Sequence, residues 1–172
     1  MPLPVDVRLI DLVAHRDARG AVVEAFQPSW LPEFSSAQWT LLPTGADVVR
    51  GVHCHRFRAD FVTSAAGTVH VVLADARPDS PTFRVAERVT LDSEAPQALL
   101  IPAGVAHAFE TTSAATVLTG LDTVWDPADE FGCSWTDPVV RDCFAVSDPV
   151  LSERDQRAGT WEQMLEQLRA AP

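Results

Sequence analysis

Apolar residues in this chain occur in short segments that are separated by glycine, proline and aspartate. The segments with strand-like composition are AVVEAF (21–26), QWTLL (38–42), DFVTSA (60–65), TVHVVLADA (68–76), FRVAERVTL (83–91), QALLIP (97–102) and TVLTGLDTVW (116–125). Short strands with Gly/Pro turns and no helical pattern between them are typical of antiparallel sandwiches and barrels. The pattern therefore predicts an all-β domain.

Helical periodicity is convincing only near the C-terminus. Thr160 can cap the N-terminus of a helix there, with Gln163 reaching back to the cap. The apolar positions of this helix recur at helical spacing, at Trp161, Met164, Leu165 and Leu168. We expect a short C-terminal helix that packs on the barrel and carries no chemistry.

Length and composition agree with one compact domain. The chain has 172 residues, 47% of them hydrophobic, so it can bury a core without disulfides or a structural metal. We expect residues 1–172 to form a single domain. No apolar run approaches the roughly 20 residues of a membrane span, and the N-terminus lacks a signal-peptide pattern. These features predict a soluble, cytoplasmic protein without a membrane partner.

The formal net charge of −11 is spread along the chain without a basic block. Such a surface repels a phosphate backbone, which excludes nucleic acid as an expected partner. A few arginines around one pocket can still bind a small anion. The candidates are Arg19, Arg50, Arg56 and Arg58.

Two histidine motifs carry the candidate chemistry. Alternation along a strand sends His53 and His55 of RGVHCHRFRADFVTSAAG (50–67) to the same face. The segment IPAGVAH (101–107) ends a strand in a turn and delivers His107. The pattern H-x-H-x4-D-x6-G followed by P-x-G-x-x-H resembles the two motifs of metal-binding cupins, with Asp60 where those proteins usually have glutamate.

Three imidazoles and one carboxylate can hold a divalent cation and leave coordination positions free for water or substrate. This interpretation assigns His53, His55, Asp60 and His107 as ligands of Fe, Mn, Zn or Ni. The alternative is that His55 lies in solvent at a strand end, and that Asp60 pairs with a nearby arginine, Arg56 or Arg58.

A second resemblance covers nearly the whole chain. DARG with the following VVEAF, and then RGVH, DARPDSPTF, IPAGVAHAF, WTDPVV and LSERD, occur in the order and spacing of the dTDP-4-dehydrorhamnose 3,5-epimerase family. The resemblance implies an RmlC-like cupin domain with a jelly-roll fold, usually homodimeric. It also implies an enzyme that abstracts protons next to a ketone in a nucleotide-linked sugar.

Specific residue roles follow from this resemblance. His53 falls at the position of the family's general base and Asp155 at that of the carboxylate that orients it, a pairing that suits proton abstraction. Arg19 and Arg50 fall at positions that bind the nucleotide sugar, and His107 falls at a pocket histidine.

The chain also departs from the family's pattern. Asp60 takes the position of a lysine that stabilises the enolate oxygen, and Thr119 takes that of a tyrosine that reprotonates the opposite face of the sugar. Trp125 replaces a second family tyrosine and His55 a glutamine, and the chain contains no tyrosine. A carboxylate near an enolate opposes its negative charge, so ordinary 3,5-epimerisation is not expected.

Together the two resemblances predict a metal-assisted, divergent epimerase-like enzyme. A divalent cation would supply the positive charge that the family's lysine provides, with Asp155 orienting a liganding His53 and Glu110 as one candidate base. The expected reactions are isomerisation or epimerisation, cyclisation, or elimination next to a carbonyl of a deoxysugar nucleotide or secondary metabolite. Two alternatives stay open: an iron-dependent cupin oxygenase and a non-catalytic sugar- or metabolite-binding cupin.

Overall fold

Two five-stranded antiparallel sheets face each other in a computed structural model that describes residues 2–170. One sheet has the strand order β1-β9-β6-β11-β4, the other has the order β12-β5-β10-β7-β8, and β2 and β3 form a separate hairpin. The strands are β1 (Arg8–Asp11), β2 (Ala14–Asp17), β3 (Gly20–Val23), β4 (Gln38–Thr44), β5 (Val48–Cys54), β6 (Asp60–Ala66), β7 (Thr68–Asp75), β8 (Ala86–Asp92), β9 (Gln97–Ile101), β10 (Val105–Thr111), β11 (Ala115–Leu121) and β12 (Phe131–Gly132). The architecture is a cupin-like jelly roll, as the strand pattern and the family resemblance predicted.

Apolar side chains fill one end of the space between the sheets. They include Val62, Val71, Leu73, Leu91, Leu99, Ile101, Val105 and Val117. The outer face of each sheet is covered as well, by residues 12–34 on the first sheet and by residues 133–168 on the second. Central strands such as β7 are therefore buried on both faces, which explains their nearly continuous apolar sequence. The other end of the interior is lined by polar and charged side chains.

The C-terminal segment contains two helices, α1 (Glu153–Gln156) and α2 (Trp161–Ala170). The predicted capping box of α2 is present: the Gln163 N–H donates to Thr160 Oγ1, and the Thr160 N–H donates to Gln163 Oε1. Trp161 is buried against the second sheet. The sequence analysis did not predict α1. None of the helices in residues 2–170 is long and apolar enough to cross a membrane.

Glu110 anchors this C-terminal segment to β10. Its Oε1 accepts hydrogen bonds of 2.8 Å from the N–H groups of Ala145 and Val146, and its Oε2 lies 2.8 Å from the Arg88 guanidinium. The side chain is fully buried and does not line the interior cleft. The assignment of Glu110 as a candidate base was therefore wrong, because the glutamate points to the covered outer face of its sheet.

Asp75 organises the loop that follows β7. Its carboxylate accepts hydrogen bonds from the Arg77 side chain at 2.9 and 2.8 Å, from Ser80 at 2.6 Å and from Thr82 at 2.7 Å. Burial raises the pKa of Asp75, but these hydrogen bonds outweigh burial and lower the pKa to about 2. The ionised carboxylate thus holds the loop at neutral pH.

We expect Asp75→Asn to lower the free energy of unfolding by about 3 kcal/mol at pH 7, because the buried carboxylate and its charged partner are separated. Since the pKa of Asp75 is lower in the folded state, its contribution is complete above about pH 4 and is lost as the pH falls toward 2. Urea denaturation at several pH values measures this difference. Asp79→Asn, in the exposed part of the same loop, is the control, and equal stability of the two variants would contradict the expectation.

Candidate functional site

A cleft of about 820 Å³ lies between the two sheets, within the size range of small-molecule binding sites. Strands of both sheets and the C-terminal segment contribute to its walls. The charged, polar and aromatic side chains that line it include Arg50, His53, His55, Arg58, Asp60, His107, Thr119, Trp125, Glu130, Arg154 and Asp155.

A bulge in β5 places Arg50 and His53 in this cleft together. In a regular strand, residues three apart point to opposite faces. Here the pairing with β10 shifts register, so that His53 lies opposite His107 and Arg50 lies opposite Phe109. Gly51 provides the bulge with a φ of 124°, and a Cβ at this position would lie 2.8 Å from the carbonyl oxygen of His107. Glycine is therefore required where the strand changes register.

The structure brings His53 and Asp155 into contact, as expected from the family resemblance. His53 Nε2 lies 2.8 Å from Asp155 Oδ1. Asp155 is on α1, whose N-terminus is capped by Ser152, and its Oδ2 also faces the Gly51 N–H at 3.4 Å. Burial raises the pKa of Asp155, but the hydrogen bonds from His53 and Ser152 outweigh burial and lower the pKa. An ionised Asp155 therefore accepts the Nε2 hydrogen and leaves Nδ1 as the basic nitrogen.

Glu130 is a second acid beside His53, and the sequence analysis missed it. Its Oε1 lies 3.3 Å from His53 Nδ1 and 3.3 Å from the Arg154 guanidinium, and its Oε2 accepts a hydrogen bond from Trp125 Nε1. Burial raises the pKa of Glu130, but the charge of His53 opposes burial and the net pKa is lowered. The imidazole thus lies between two carboxylates, which stabilise the positive charge that the ring gains on taking up a proton. In the sequence Glu130 is one acid among several in a loop, with no motif that distinguishes it.

His55, Asp60 and His107 meet at the inner wall of the cleft. Each offers a ligand atom, and these atoms lie within 4.8 Å of one another. Asp60 Oδ2 is 3.1 Å from His107 Nε2 and 3.6 Å from His55 Nε2. All three residues are buried. His53 is outside this group because its ring nitrogens face Asp155 and Glu130. The predicted convergence of four ligands was therefore wrong for His53.

Arg58 engages two of these three residues. Its Nε donates to Asp60 Oδ1 at 2.8 Å, and its Nη2 lies 2.5 Å from His55 Nε2. The other ring nitrogen of His55, Nδ1, lies 2.9 Å from the carbonyl oxygen of Asp129. The alternative pairing of Asp60 with Arg58 is confirmed, whereas the exposed position suggested for His55 was wrong.

This arrangement does not fit a divalent cation. A carbonyl oxygen only accepts hydrogen bonds, so His55 Nδ1 carries the hydrogen and Nε2 presents its lone pair to the guanidinium. A metal ion needs that same lone pair and would lie against a permanent positive charge. Burial, together with the nearby His107, lowers the pKa of His55 to about 4. For Asp60, burial raises the pKa, but the hydrogen bond and charge of His107 together with the charges of His55 and Arg58 outweigh burial, and the pKa falls to about 2.

Three further residues assigned from the sequence line the cleft. The Arg50 side chain donates from Nε to Thr44 Oγ1 at 3.0 Å. Thr119 is buried and its hydroxyl lies 3.4 Å from the carbonyl oxygen of Thr40. Trp125 stands at the margin of the cleft with 49% of its surface exposed. The cleft thus combines the Arg50 guanidinium and the Trp125 ring with the oriented imidazole of His53.

Two of the arginines suggested as pocket residues, Arg19 and Arg56, do not line the cleft. Arg19 was also assigned to substrate binding. It follows β2 in the hairpin turn and forms an ion pair of 2.6 Å with Asp17. Its side chain is 87% exposed, and it does not line the cleft of its own chain.

Comparisons with known proteins identify the relatives of this chain. The family model described as dTDP-4-dehydrorhamnose 3,5-epimerase matches residues 4–163. A dTDP-4-dehydrorhamnose 3-epimerase from Streptomyces niveus is 34% identical over 126 residues, which cover 71% of this chain and 61% of that protein. The chain thus spans about three fifths of that relative's length.

Two solved structures extend the likeness to the fold. A 4-keto-6-deoxy sugar epimerase from the novobiocin biosynthetic gene cluster of Streptomyces spheroides has a TM-score of 0.89 and 28% identity, over 96% of this chain and 88% of that one. A 3'-monoepimerase from Streptomyces bikiniensis in complex with dTDP-quinovose has a TM-score of 0.85 and 26% identity, over 99% of this chain and 98% of that one.

The bulge in β5 predicts that a larger residue at position 51 destabilises the fold. We expect Gly51→Ala to cost about 1–3 kcal/mol in unfolding free energy, because an L-residue at this φ is strained and its Cβ overlaps β10. Thermal denaturation measures the loss. Gly45→Ala, in the loop before β5 and with open space around its Cβ position, is the matched control. Similar melting temperatures for both variants would show that β5 does not need a glycine at the bulge.

Proposed function

This chain belongs to the dTDP-4-dehydrorhamnose 3,5-epimerase family, and from this membership we propose that it is an epimerase-type enzyme acting at one carbon of a dTDP-linked 4-keto-6-deoxy sugar. The observation that carries the proposal is the 2.8 Å contact between His53 and Asp155 in a cleft of suitable size. A site that only binds a ligand does not need an oriented histidine.

His53 is the proposed base. A hydrogen on the carbon beside a ketone is acidic because its loss gives an enolate. His53 Nδ1 takes this proton, Asp155 holds the Nε2 hydrogen, and Glu130 on the other side of the ring stabilises the resulting imidazolium. In this scheme the negative charge moves to the ketone oxygen, and a proton returned to the opposite face of the carbon completes the inversion.

The relatives and the lining residues support a nucleotide-linked sugar as substrate. The described relatives act on dTDP-4-dehydro sugars or 4-keto-6-deoxy sugars, and one was solved with dTDP-quinovose. Arg50 is the proposed partner of the diphosphate, Trp125 offers a flat surface to a ring, and His107 contacts the sugar.

Reaction at one carbon, carbon 3, follows from the substitution at Thr119. A threonine hydroxyl is no stronger an acid than water, so it does not replace a phenol, and the chain contains no tyrosine. The His53–Asp155 pair therefore serves one carbon. In this proposal a solvent water in the open cleft gives a proton to the opposite face of that carbon, and the His53 imidazolium passes its own proton to the hydroxide that is left, so that the neutral base is restored. The names of the relatives include a 3-epimerase and a 3'-monoepimerase, which agrees with action at carbon 3.

Metal assistance stays a prediction. Its support is the cluster of His55, Asp60 and His107. The hydrogen bonds from Arg58 to two of these residues oppose it. An iron-dependent oxygenase needs the same cluster as its ligands, so the same contacts argue against that alternative.

A homodimer is the proposed assembly. The β2–β3 hairpin pairs with neither five-stranded sheet, and β4 is an edge strand with Leu41 60% exposed. Val22 on the hairpin is 64% exposed, and such an apolar edge favours pairing with another chain. A hairpin laid along β4, which lines the cleft through Thr40, would bring the partner subunit's Arg19 to the substrate.

Substitution of His53 and Asp155, the catalytic dyad of this proposal, is the main test of this function. We expect the wild type to exchange one substrate hydrogen for deuterium in heavy water, and both Asp155→Asn and His53→Asn to lose at least about 10²-fold in rate, because an oriented base is missing. The double variant should be scarcely slower than the single variants, since the two residues act as a unit. Mass spectrometry of dTDP-4-dehydro-6-deoxyglucose follows the exchange.

Thermal unfolding separates these losses from misfolding, since Asp155→Asn keeps the shape of the side chain. Exchange by the His53→Asn variant at the wild-type rate would mean that another group is the base. A wild type that binds the nucleotide sugar without exchange would instead support the sugar-binding alternative.

The dimer proposal predicts complementation. Arg19→Ala and His53→Asn homodimers should each be slow, and mixing them under conditions of subunit exchange should restore exchange activity. One cleft of each mixed dimer then has both residues intact. Light scattering measures whether the species is a dimer of twice 18.7 kDa, and co-purification of the two variants carrying different affinity tags shows that the dimers are mixed. If mixed dimers form but activity does not return, Arg19 does not act across the interface.

A further inference from the structure

We infer that Arg58 is a catalytic residue of the proposed reaction, and that its guanidinium supplies the positive charge for the enolate oxygen that the family resemblance assigns to a lysine at position 60. The inference rests on the proposed function and goes beyond it, because it assigns the electrophilic group of this chain. It also explains how a carboxylate can stand at the lysine position.

Burial and contacts hold the guanidinium in place. The Arg58 side chain is 7% exposed and lines the cleft. Nε is held by Asp60 at 2.8 Å and Nη2 by His55 at 2.5 Å. A side chain fixed at two nitrogens loses little further freedom when it binds a third oxygen.

The third nitrogen of the guanidinium is available to substrate. Nη1 lies 4.0 Å from Glu130 Oε2, which is too far for a hydrogen bond. Among the described residues, the hydrogen bonds of the Arg58 side chain are made by Nε and Nη2, and none is made by Nη1. Nη1 carries two hydrogens, and an oxyanion that forms beside it gains a charge-assisted hydrogen bond in a partly desolvated site.

Asp60 serves this arrangement by orienting the arginine. Its Oδ1 accepts from Arg58 and its Oδ2 faces His107 Nε2 at 3.1 Å. Both oxygens are therefore turned to cationic or hydrogen-bonding partners rather than to the substrate. The repulsion between Asp60 and an enolate, which the sequence analysis expected, is offset by Arg58, which stays protonated throughout the working pH range.

The test compares Arg58→Met, Arg58→Lys and Arg88→Met by deuterium exchange and by dTDP affinity. Arg88 is the matched control because it also pairs with a buried carboxylate, that of Glu110 at 2.8 Å, but faces away from the cleft. We expect Arg58→Met to lose about 10²–10³-fold in exchange rate with nearly unchanged dTDP affinity. Arg58→Lys should recover part of the rate, and Arg88→Met should lose stability but keep its exchange rate.

A second variant serves as a control for misfolding. If Arg58→Met is unstable because Asp60 is left unpaired, Arg58→Met combined with Asp60→Asn removes both charges and should fold, with the same loss of exchange. Wild-type exchange in either folded variant would overturn the role of Arg58 while leaving His53 as the base. A wild type without exchange would overturn the proposed function and this inference together.

Cobalt provides a readout that is independent of activity. Because the guanidinium uses the lone pair of His55, wild-type protein titrated with Co²⁺ should show no visible absorption band from a bound ion. A band that appears in the wild type and disappears in His55→Ala would overturn the inference and restore the metal assignment.

Discussion

The hydrogen bond between His53 and Asp155 joins two parts of the chain that are 102 residues apart, and the rest of the site depends on it. His53 is placed by a bulge in the second sheet, and Asp155 by a short helix in the C-terminal segment. That segment is held by apolar packing around Trp161 and by the hydrogen bonds that Glu110 accepts from residues 145 and 146. The C-terminal covering of the barrel therefore supports both the stability of the fold and the orientation of its candidate base.

The second constraint is the balance of buried charge. Asp60, Glu130 and Asp155 are each less than a tenth exposed, and a buried carboxylate is tolerated only with a cation or with hydrogen-bond donors. Three histidines and two arginines meet this requirement, namely His53, His55, His107, Arg58 and Arg154. These partners are fixed by the fold itself, which suits the proposed reaction because preorganised groups stabilise a charge as it develops.

Local patterns in the sequence predicted the barrel, the capping box at Thr160 and the shared wall position of His55 and His107, since each depends on alternation or on a short motif. The pairing of His53 with Asp155 needed the family resemblance, because nothing around residue 155 marks it as more than a surface acid. The bulge at Gly51 and the position of Glu130 depend on register and on loop packing between distant segments. The proposed role of Arg58 could not be predicted, because it depends on strand pairing. Pairing separates His53 from the other three candidate ligands and places the Arg58 guanidinium beside two of them.

We propose that this family member moves a proton at one carbon of a dTDP-linked sugar. Nuclear magnetic resonance of dTDP-4-dehydro-6-deoxyglucose recovered after long incubation with the wild type in heavy water shows which carbons carry deuterium. A single deuterium at carbon 3, with the hydrogen at carbon 5 retained, is the result that one histidine dyad and the absence of a tyrosine predict. Deuterium at both carbons with inversion at each would contradict the account, because it would require a second proton-transfer group that Thr119 does not provide.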